Sequence, residues 1–182
     1  MASENVLSAD NQQERLRLPH PWYIVGLVDG EGSFHIALYK DERMKTQLKV
    51  IPEFHVSQNS PSKIVLEELQ QFFQCGYIKV NHRGSKTDHT YVYVVRNRDD
   101  LLKRIIPFFQ QYSLRTMKAK DFQFFAKVVH MMNEGKHQTG VGAKGIITTA
   151  YQMNDSGKRR KVAQQDLIRI VESSETIRET SQ

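Results

Sequence analysis

The segment WYIVGLVDGEGSF, residues 22–34, decides how the sequence is interpreted. Its apolar first part is typical of a buried helix, which is expected to end within DGEG, residues 29–32, where glycines allow the backbone angles that close a helix. An alternating, strand-like pattern begins directly afterwards. Two carboxylates, Asp29 and Glu31, therefore lie at the tip of the most hydrophobic predicted helix.

Two interpretations of this acidic tip remain open on the residues alone. In the first, the helix ends in water, as many glycine-flanked helices do. In the second, the carboxylates serve a ligand, because acidic side chains at a helix C-terminus oppose the helix dipole. Gly26 and Gly30 favour the second, since they lie four residues apart on one helical face and would let a second backbone approach closely.

The rest of the sequence predicts an α+β fold. Pro52 inside the second strand predicts a bulge, an irregularity or an edge position, and Pro107 predicts a kink in a helix. The order is αββαββα, with additional C-terminal helices. The predicted elements after the first helix are strands 33–40 and 47–58, a helix at 59–73 capped by Ser60 with Ile64, Val65, Leu69, Phe72 and Phe73 on one stripe, strands 76–82 and 90–97, helices 99–112 and 117–132, a glycine-rich loop 134–145, and helices 146–153 and 164–173.

Length and composition limit the classes of protein. The 182 residues suit one domain over residues 19–173, with a flexible arm at 1–18 and a frayed tail at 174–182. The net charge of +6 suits a polyanionic partner, although many basic proteins bind no nucleic acid. The lone Cys75 excludes an internal disulfide and indicates a reducing compartment. No apolar run predicts a membrane span or a signal peptide, so no membrane partner and no secretion are expected.

The stretch IVGLVDGEG, residues 24–32, resembles the signature helix of the LAGLIDADG homing endonucleases. The αββαββα order that follows strengthens the resemblance. The segments GYIKV, PFF, KAKDFQFFAKVV and MNDSGKRRK resemble, in the same order, the single-motif members encoded in algal chloroplast introns. The resemblance implies an antiparallel, saddle-shaped sheet that binds double-stranded DNA.

The resemblance also implies a metal site at the acidic tip. Glu31 is expected to bind a divalent cation beside the scissile phosphate, with the carbonyl of Gly30 as a second ligand and Asp29 as structural support. Mg²⁺ suits such oxygen ligands, and Mn²⁺ or Ca²⁺ can occupy the same site.

Three further catalytic positions follow from the resemblance. Gln58 matches a glutamine that orients the nucleophilic water, and Lys118 matches a lysine near the scissile phosphate. Ser62 stands where the family often has a basic residue, so the neighbouring Lys63 is a candidate substitute. On the residues alone, Gln58 also suits an ordinary strand end, and Lys118 also suits the solvated side of a helix.

A chain with one signature helix offers half of an active site, which implies a homodimer and a pseudo-palindromic target. The expected dimer interface contains Ile24, Gly26, Leu27 and Gly30.

The outward face of the sheet is the candidate DNA-reading surface, because a two-stranded ribbon fits the major groove. An ordinary polar sheet face is the alternative. The basic loop near residue 160 is expected to contact phosphates. The predicted DNA-binding residues are Ser33, His35, Tyr39, Asp41, Lys49, His55, Lys79, Asn81, Arg83, Lys158, Arg160 and Lys161.

The sequence thus predicts a metal-dependent homing endonuclease that cuts both DNA strands and leaves short 3′ overhangs. Two alternatives remain open: a maturase that binds intron RNA, and a catalytically silent DNA-binding regulator. An intron-encoded protein of this kind is expected in a chloroplast or mitochondrion.

Overall fold

A computed structural model describes residues 19–81, 90–154, 157 and 160–179. A π-helical turn at Leu101–Ile105 joins α3 to α4, and short 3₁₀ helices cover Ser60–Ser62 and Lys136–Gln138. The main elements are α1 Pro21–Glu31, β1 Gly32–Lys40, β2 Leu48–Asn59, α2 Lys63–Phe73, β3 Tyr77–Val80, β4 Thr90–Val95, α3 Arg98–Asp100, α4 Ile106–Gln111, α5 Lys118–Asn133, α6 Gly140–Tyr151 and α7 Gln164–Glu179. The predicted αββαββα order with additional C-terminal helices is confirmed.

The four strands form one open antiparallel sheet in the order β1-β2-β4-β3. Strand β2 pairs with β1 along its first nine residues, but it pairs with β4 only from Phe54 to Asn59. Pro52 therefore lies where one side of β2 has no strand partner, and its missing N–H costs no ladder hydrogen bond. The edge position that Pro52 predicted is confirmed.

The helices cover one face of the sheet and enclose a core rich in aromatic rings. Phe34 of β1 lies at its centre and is fully buried. Its ring stacks on Phe54 with centroids 5.2 Å apart and meets the edge of Phe109 at 5.5 Å. Phe122 and Phe125 of α5 each lie 5.3 Å from it, so this one side chain joins two strands and two helices.

Helix α2 differs from its prediction at its start and in its apolar face. Ser60 is not its cap, because Ser60 begins a 3₁₀ turn and the N-cap residue of α2 is Ser62. Leu66, which the predicted stripe omitted, is fully buried, whereas Ile64 is 47% exposed. The stripe was therefore wrong at its N-terminal end, because Leu66, Leu69 and Phe73 follow the three- and four-residue spacing of one helix face and Ile64 does not.

The helix predicted to be broken or kinked at Pro107 is irregular there, because a π-helical turn ends at Ile105, two residues before the proline. Proline at that position cannot donate a backbone hydrogen bond, and its ring crowds the preceding turn. The π-helical turn directly before α4 accommodates this defect.

The prediction of a loop throughout residues 134–145 was wrong, because α6 begins at Gly140. Glycine is needed at Gly142 for close packing, since a Cβ there would lie 2.1 Å from the backbone oxygen of Lys136. Helix α7 also continues to Glu179, beyond the expected start of the tail at residue 174.

The outer edge of β1 is covered by the segment that follows α6. Asn154 Nδ2 donates to the carbonyl of Phe34 at 3.1 Å, and Arg160 Nη1 donates to that of Ile36 at 3.0 Å. These side chains occupy backbone acceptors that an edge strand otherwise leaves open.

None of the helices in the described part of the chain is long and apolar enough to cross a membrane.

Replacing Phe34 by alanine is expected to lower the free energy of unfolding by about 3–5 kcal/mol, because the cavity would face four aromatic rings. Chemical denaturation measures this difference. Tyr39→Ala, at an exposed position of the same strand, is the matched control and should cost far less. Equal losses for the two variants would contradict the central role of Phe34.

Candidate active site

Helix α1 ends without the glycine conformation that the sequence suggested. Gly32 has φ −81° and ψ 159°, which is ordinary extended backbone. Glycine is required there for space, since a Cβ would lie 2.5 Å from Val28 Cγ1 and 2.7 Å from the Val28 carbonyl oxygen. The absence of this one atom lets β1 start immediately after the helix.

The carbonyls at the end of α1 are capped by a lysine from α5. Lys118 Nζ donates to the carbonyls of Val28, Asp29 and Gly30 at 3.2, 2.9 and 2.7 Å. These oxygens carry the negative end of the helix dipole, which an ammonium group stabilises. Lys118 therefore joins α5 to the acidic tip and offsets the electrostatic cost of placing carboxylates there.

Asp29 anchors the segment that leads into α5. Its carboxylate accepts hydrogen bonds from the backbone N–H of Arg115 at 2.8 Å and from the N–H and hydroxyl of Thr116 at 3.2 and 2.7 Å. Burial works to raise the pKa of Asp29, but these hydrogen bonds and the charge of Lys118 outweigh it and hold the pKa below its usual value. These contacts agree with the predicted supporting role of Asp29.

Glu31, the last residue of α1, has a different environment. Its side chain is exposed, and it makes no hydrogen bond or ion pair with any other described residue. Within the described ranges, no group of three His, Cys, Asp or Glu side chains could hold a metal ion. Glu31 is thus an open carboxylate at the surface, whereas the neighbouring Gly30 carbonyl already accepts a hydrogen bond from Lys118.

Gln58 and Lys63 lie near each other beside the end of α1. Gly32, the first residue of β1, pairs with Val56 of β2. Gln58 therefore lies two residues farther along β2, past the point where α1 ends and β1 begins. Gln58 faces Tyr91 across the ladder, and Lys63 Nζ lies 5.3 Å from the centroid of the Tyr91 ring.

Lys63 is also paired within its own helix. Its Nζ lies 2.8 Å from Glu67 Oε1, and this hydrogen bond raises the pKa of Lys63. The catalytic roles of Gln58, Lys63 and Lys118 remain predictions.

The outer face of α1 has few contacts with the rest of the described chain. A Cβ at Gly26 or Gly30 would meet nothing within 4 Å, and Tyr23 is exposed beside them. Ile24 was wrongly placed on this face, because it is 0% exposed and packs into the protein's own core. Leu27 is half-buried at the margin of this outer face.

Strand register places most of the predicted DNA-reading residues on one face of the sheet. Ser33 pairs with His55, and Tyr39 pairs with Lys49. His55 pairs with Val94, and two residues away Val92 pairs with Lys79. Directly paired residues share a face, and alternate residues of a strand do so too. His35 and Asn81 follow the same alternation, while the binding role of the whole set remains a prediction.

Two predicted contact residues have partners inside the protein. Asp41 Oδ1 and Oδ2 each accept a hydrogen bond from the Arg43 guanidinium at 2.8 Å, which lowers the pKa of Asp41 to about 2. Arg160 donates from its guanidinium to the carbonyls of Ile36 and Ala150 and lies over the Tyr151 ring, while its predicted phosphate contact remains a prediction. Burial accordingly lowers the pKa of Arg160.

Lys161 is exposed, as predicted for a phosphate contact. The other two predicted contacts of this kind, Arg83 and Lys158, lie outside the described residues.

Sequence reasoning missed Glu53 and Arg96, which form an ion pair on the sheet face. Glu53 has the strand parity of His55 and is buried although it carries a charge. A charged residue between apolar positions of a central strand was the available signal, since such residues are almost never buried without a partner.

Comparison with known families decides the classification. The family model described as LAGLIDADG endonuclease matches residues 24–129, which is more than half of the chain and includes α1, the sheet and most of α5. The chain belongs to this LAGLIDADG family.

Individual LAGLIDADG proteins share both sequence and fold with this chain. The DNA endonuclease I-CeuI of the alga Chlamydomonas moewusii is 30% identical over 119 residues, 64% of this chain and 53% of that protein. The crystal structure of the homing endonuclease I-TnaI is 34% identical with a TM-score of 0.72, covering 86% of this chain and 98% of that chain. The archaeal intron-encoded homing endonuclease I-Vdi141I, solved in complex with DNA, is 25% identical with a TM-score of 0.77, covering 86% and 96%.

The chain is short beside several curated LAGLIDADG relatives. It spans between 25% and 53% of the length of four that it matches.

Asp29→Asn is expected to lower the free energy of unfolding at about pH 7 by about 1 kcal/mol, because the charged acceptor of three hydrogen bonds is lost and the site is partly exposed. The folded pKa lies below the unfolded value near 3.8. The carboxylate's contribution is therefore complete above about pH 4 and disappears as the pH falls through the folded pKa.

Chemical denaturation at several pH values measures this effect. The difference between wild type and Asp29→Asn should shrink towards about pH 3. Asp166→Asn, which removes an exposed carboxylate paired with Arg169 on α7, is the control. A difference that stays constant with pH would contradict the role given to the Asp29 charge.

Proposed function

We propose that this protein is a site-specific homing endonuclease that hydrolyses one phosphodiester bond in each strand of double-stranded DNA. The observation that carries the proposal is the open Glu31 carboxylate at the tip of α1, beside a helix face where a Cβ at Gly26 or Gly30 would meet nothing within 4 Å. Membership of the LAGLIDADG family supports it. So do relatives whose names describe DNA endonucleases and a neighbour solved in complex with DNA.

The active form is a homodimer, because one chain supplies one Glu31 and two strands must be cut. Exposed Gly26 and Gly30 permit a second α1 to approach until the two backbones touch. Two acidic tips would then lie side by side above the DNA. A two-fold dimer reads a pseudo-palindromic target, and each tip cuts one strand to leave short 3′ overhangs.

The donors at the tip fit a hard divalent cation. Glu31 is exposed and unpaired among the described residues. The Gly30 carbonyl next to it accepts a hydrogen bond from Lys118 and has a second lone pair for a metal ion. Mg²⁺ prefers such ligands and keeps several waters, so it does not need a cage made by one protein chain. When bound by Glu31 and Gly30, Mg²⁺ or a substitute such as Mn²⁺ or Ca²⁺ supplies an activated water and neutralises charge at the phosphate.

The remaining site residues position and stabilise the reacting groups. Lys118 Nζ is held at the carbonyl of Gly30, one residue from Glu31. Its three N–H groups are donated to the end of α1, so Lys118 contributes through its positive charge and not by a hydrogen bond to the phosphate. The amide of Gln58 orients the attacking water. Lys63, across Tyr91 from Gln58, contributes further positive charge.

DNA lies across the sheet face that carries Ser33, His35, Tyr39, Lys49, His55, Lys79 and Asn81, which approach base edges in the major groove. Lys161 contributes phosphate contacts from the rim. Several relatives are described as intron-encoded. By analogy, this protein acts in an organelle, a chloroplast or mitochondrion, that holds such an intron.

Glu31→Gln is expected to reduce cleavage at least about 100-fold while DNA binding persists, because the amide keeps the shape and loses the negative charge. The assay is Mg²⁺-dependent cutting of a randomised, palindrome-biased duplex library, with sequencing of the cut ends and an EDTA control. Glu134→Gln is the matched control, since Glu134 pairs with Lys136 at the far end of α5.

The outcomes of this assay separate the candidate functions. Cut ends with a common two-fold sequence, absent in Glu31→Gln and EDTA, support the endonuclease. Selective binding without cutting would overturn it in favour of a DNA-binding regulator. If the protein neither cuts DNA nor binds it selectively, intron RNA becomes the candidate partner and the maturase the candidate function.

Gly26→Glu is expected to produce a folded monomer without cleavage activity, because the side chain would enter open space in one chain but would separate two α1 helices. Sedimentation and circular dichroism measure assembly and folding. Val141→Glu, at an exposed apolar position on α6, should leave the assembly unchanged. A Gly26→Glu protein that still sediments as a dimer would contradict the proposed interface.

A further inference from the structure

A buried carboxylate lies in the middle of the sheet face that the proposed function assigns to DNA. Glu53 of β2 is only 6% exposed, and its position in the ladder is opposite His35 of β1. A buried charge on a surface that approaches polyanionic DNA is unfavourable unless a cation is held beside it. A cation is therefore expected beside Glu53.

Arg96 is that cation. It follows the last residue of β4, and because Phe54 pairs with Val95, Arg96 stands level with Glu53. Its Nε forms an ion pair with Glu53 Oε1, yet its side chain remains 46% exposed. The guanidinium is thus fixed on its inner side by a buried group and remains accessible on its outer side.

The other ionisable groups around Glu53 do not replace Arg96. His55 Nε2 lies 3.0 Å from Glu53 Oε2, and His35 faces it across the ladder. Burial lowers the pKa of both histidines, and the nearby charges of Lys79 and Arg96 at His55, and of Arg160 at His35, act in the same direction, whereas the Glu53 charge acts to raise both pKa values. Arg96 is always charged, so it is the permanent cation beside Glu53.

We propose that Arg96 reads a guanine in each half of the DNA target and that Glu53 is the positioning residue that aims it. This inference rests on the proposed DNA-binding function. Arg96 directly follows β4, level with Glu53 and His35, so it extends from the same face of the sheet at the point where β4 ends. Guanine presents two acceptors, O6 and N7, on its major-groove edge, and an arginine fork matches both.

The fixed orientation favours a base over a phosphate as the partner of Arg96. Phosphate contacts supply affinity independent of sequence, and a mobile side chain at the rim suffices for them. Base reading requires a donor fork held in one direction, which a buried carboxylate provides. Arginine and lysine are not interchangeable in that role, because lysine has no planar fork.

The experiment first selects bound duplexes with wild-type protein in EDTA, which separates binding from cleavage. Each guanine of the selected target is then replaced by 7-deazaguanine, which lacks the N7 acceptor. Wild-type binding is expected to weaken about ten- to a hundred-fold at one symmetric pair of guanines. Arg96→Lys, which keeps the charge beside Glu53, should bind the natural and modified duplexes with nearly equal affinity.

Two further variants complete the test. Glu53→Gln keeps Arg96 but releases it, so discrimination at the same guanine pair should fall more than affinity for a random duplex. Lys161→Met should instead weaken all duplexes similarly and reduce the dependence of binding on salt. Circular dichroism of each variant confirms that it is folded.

Arg96→Lys that keeps the wild-type preference at every guanine would overturn the inference. The inference would also be overturned if Arg96→Lys bound all duplexes more weakly to a similar degree, as expected for Lys161→Met. That result would assign Arg96 to a phosphate. If wild-type protein selects no sequence at all, the proposed function fails, and this result is distinct from the failure of Arg96 alone.

Discussion

The contact of Lys118 with the three carbonyls that end α1 is the interaction on which the site depends. It is made by a side chain distant in sequence, so it fixes the first and the fifth helices relative to each other. Without it, the negative end of the helix dipole would meet two carboxylates with nothing to balance it. The same ammonium group supplies positive charge next to Glu31. One side chain thus stabilises the tip and also serves its proposed chemistry.

Asp29 and Glu31 show how two similar residues come to differ in role. The Asp29 carboxylate faces the segment before α5 and accepts three hydrogen bonds from Arg115 and Thr116. Glu31 is the last residue of α1, and its side chain meets solvent. The division between a hydrogen-bonded and a solvent-exposed carboxylate therefore follows from the point at which Gly32 allows the chain to leave the helix.

The strands, the order of elements and the family were predictable from the sequence, because two-residue alternation and the α1 motif are local signals. Contacts between distant segments were not. The pairing of Glu53 with Arg96 and the insertion of Arg160 under the β1 edge depend on which strands and loops become neighbours. Ile24 was misplaced because the motif marks a helix with two packed faces without showing which face each residue takes.

The covered edge of β1 has a consequence for how copies of the protein can associate. Strand addition, which drives domain swapping and fibril growth, requires free backbone acceptors along an edge. Asn154 and Arg160 already occupy those of Phe34 and Ile36. Polymerisation through this edge is thereby disfavoured, so the proposed helix-mediated dimer would not compete with open-ended assembly through β1.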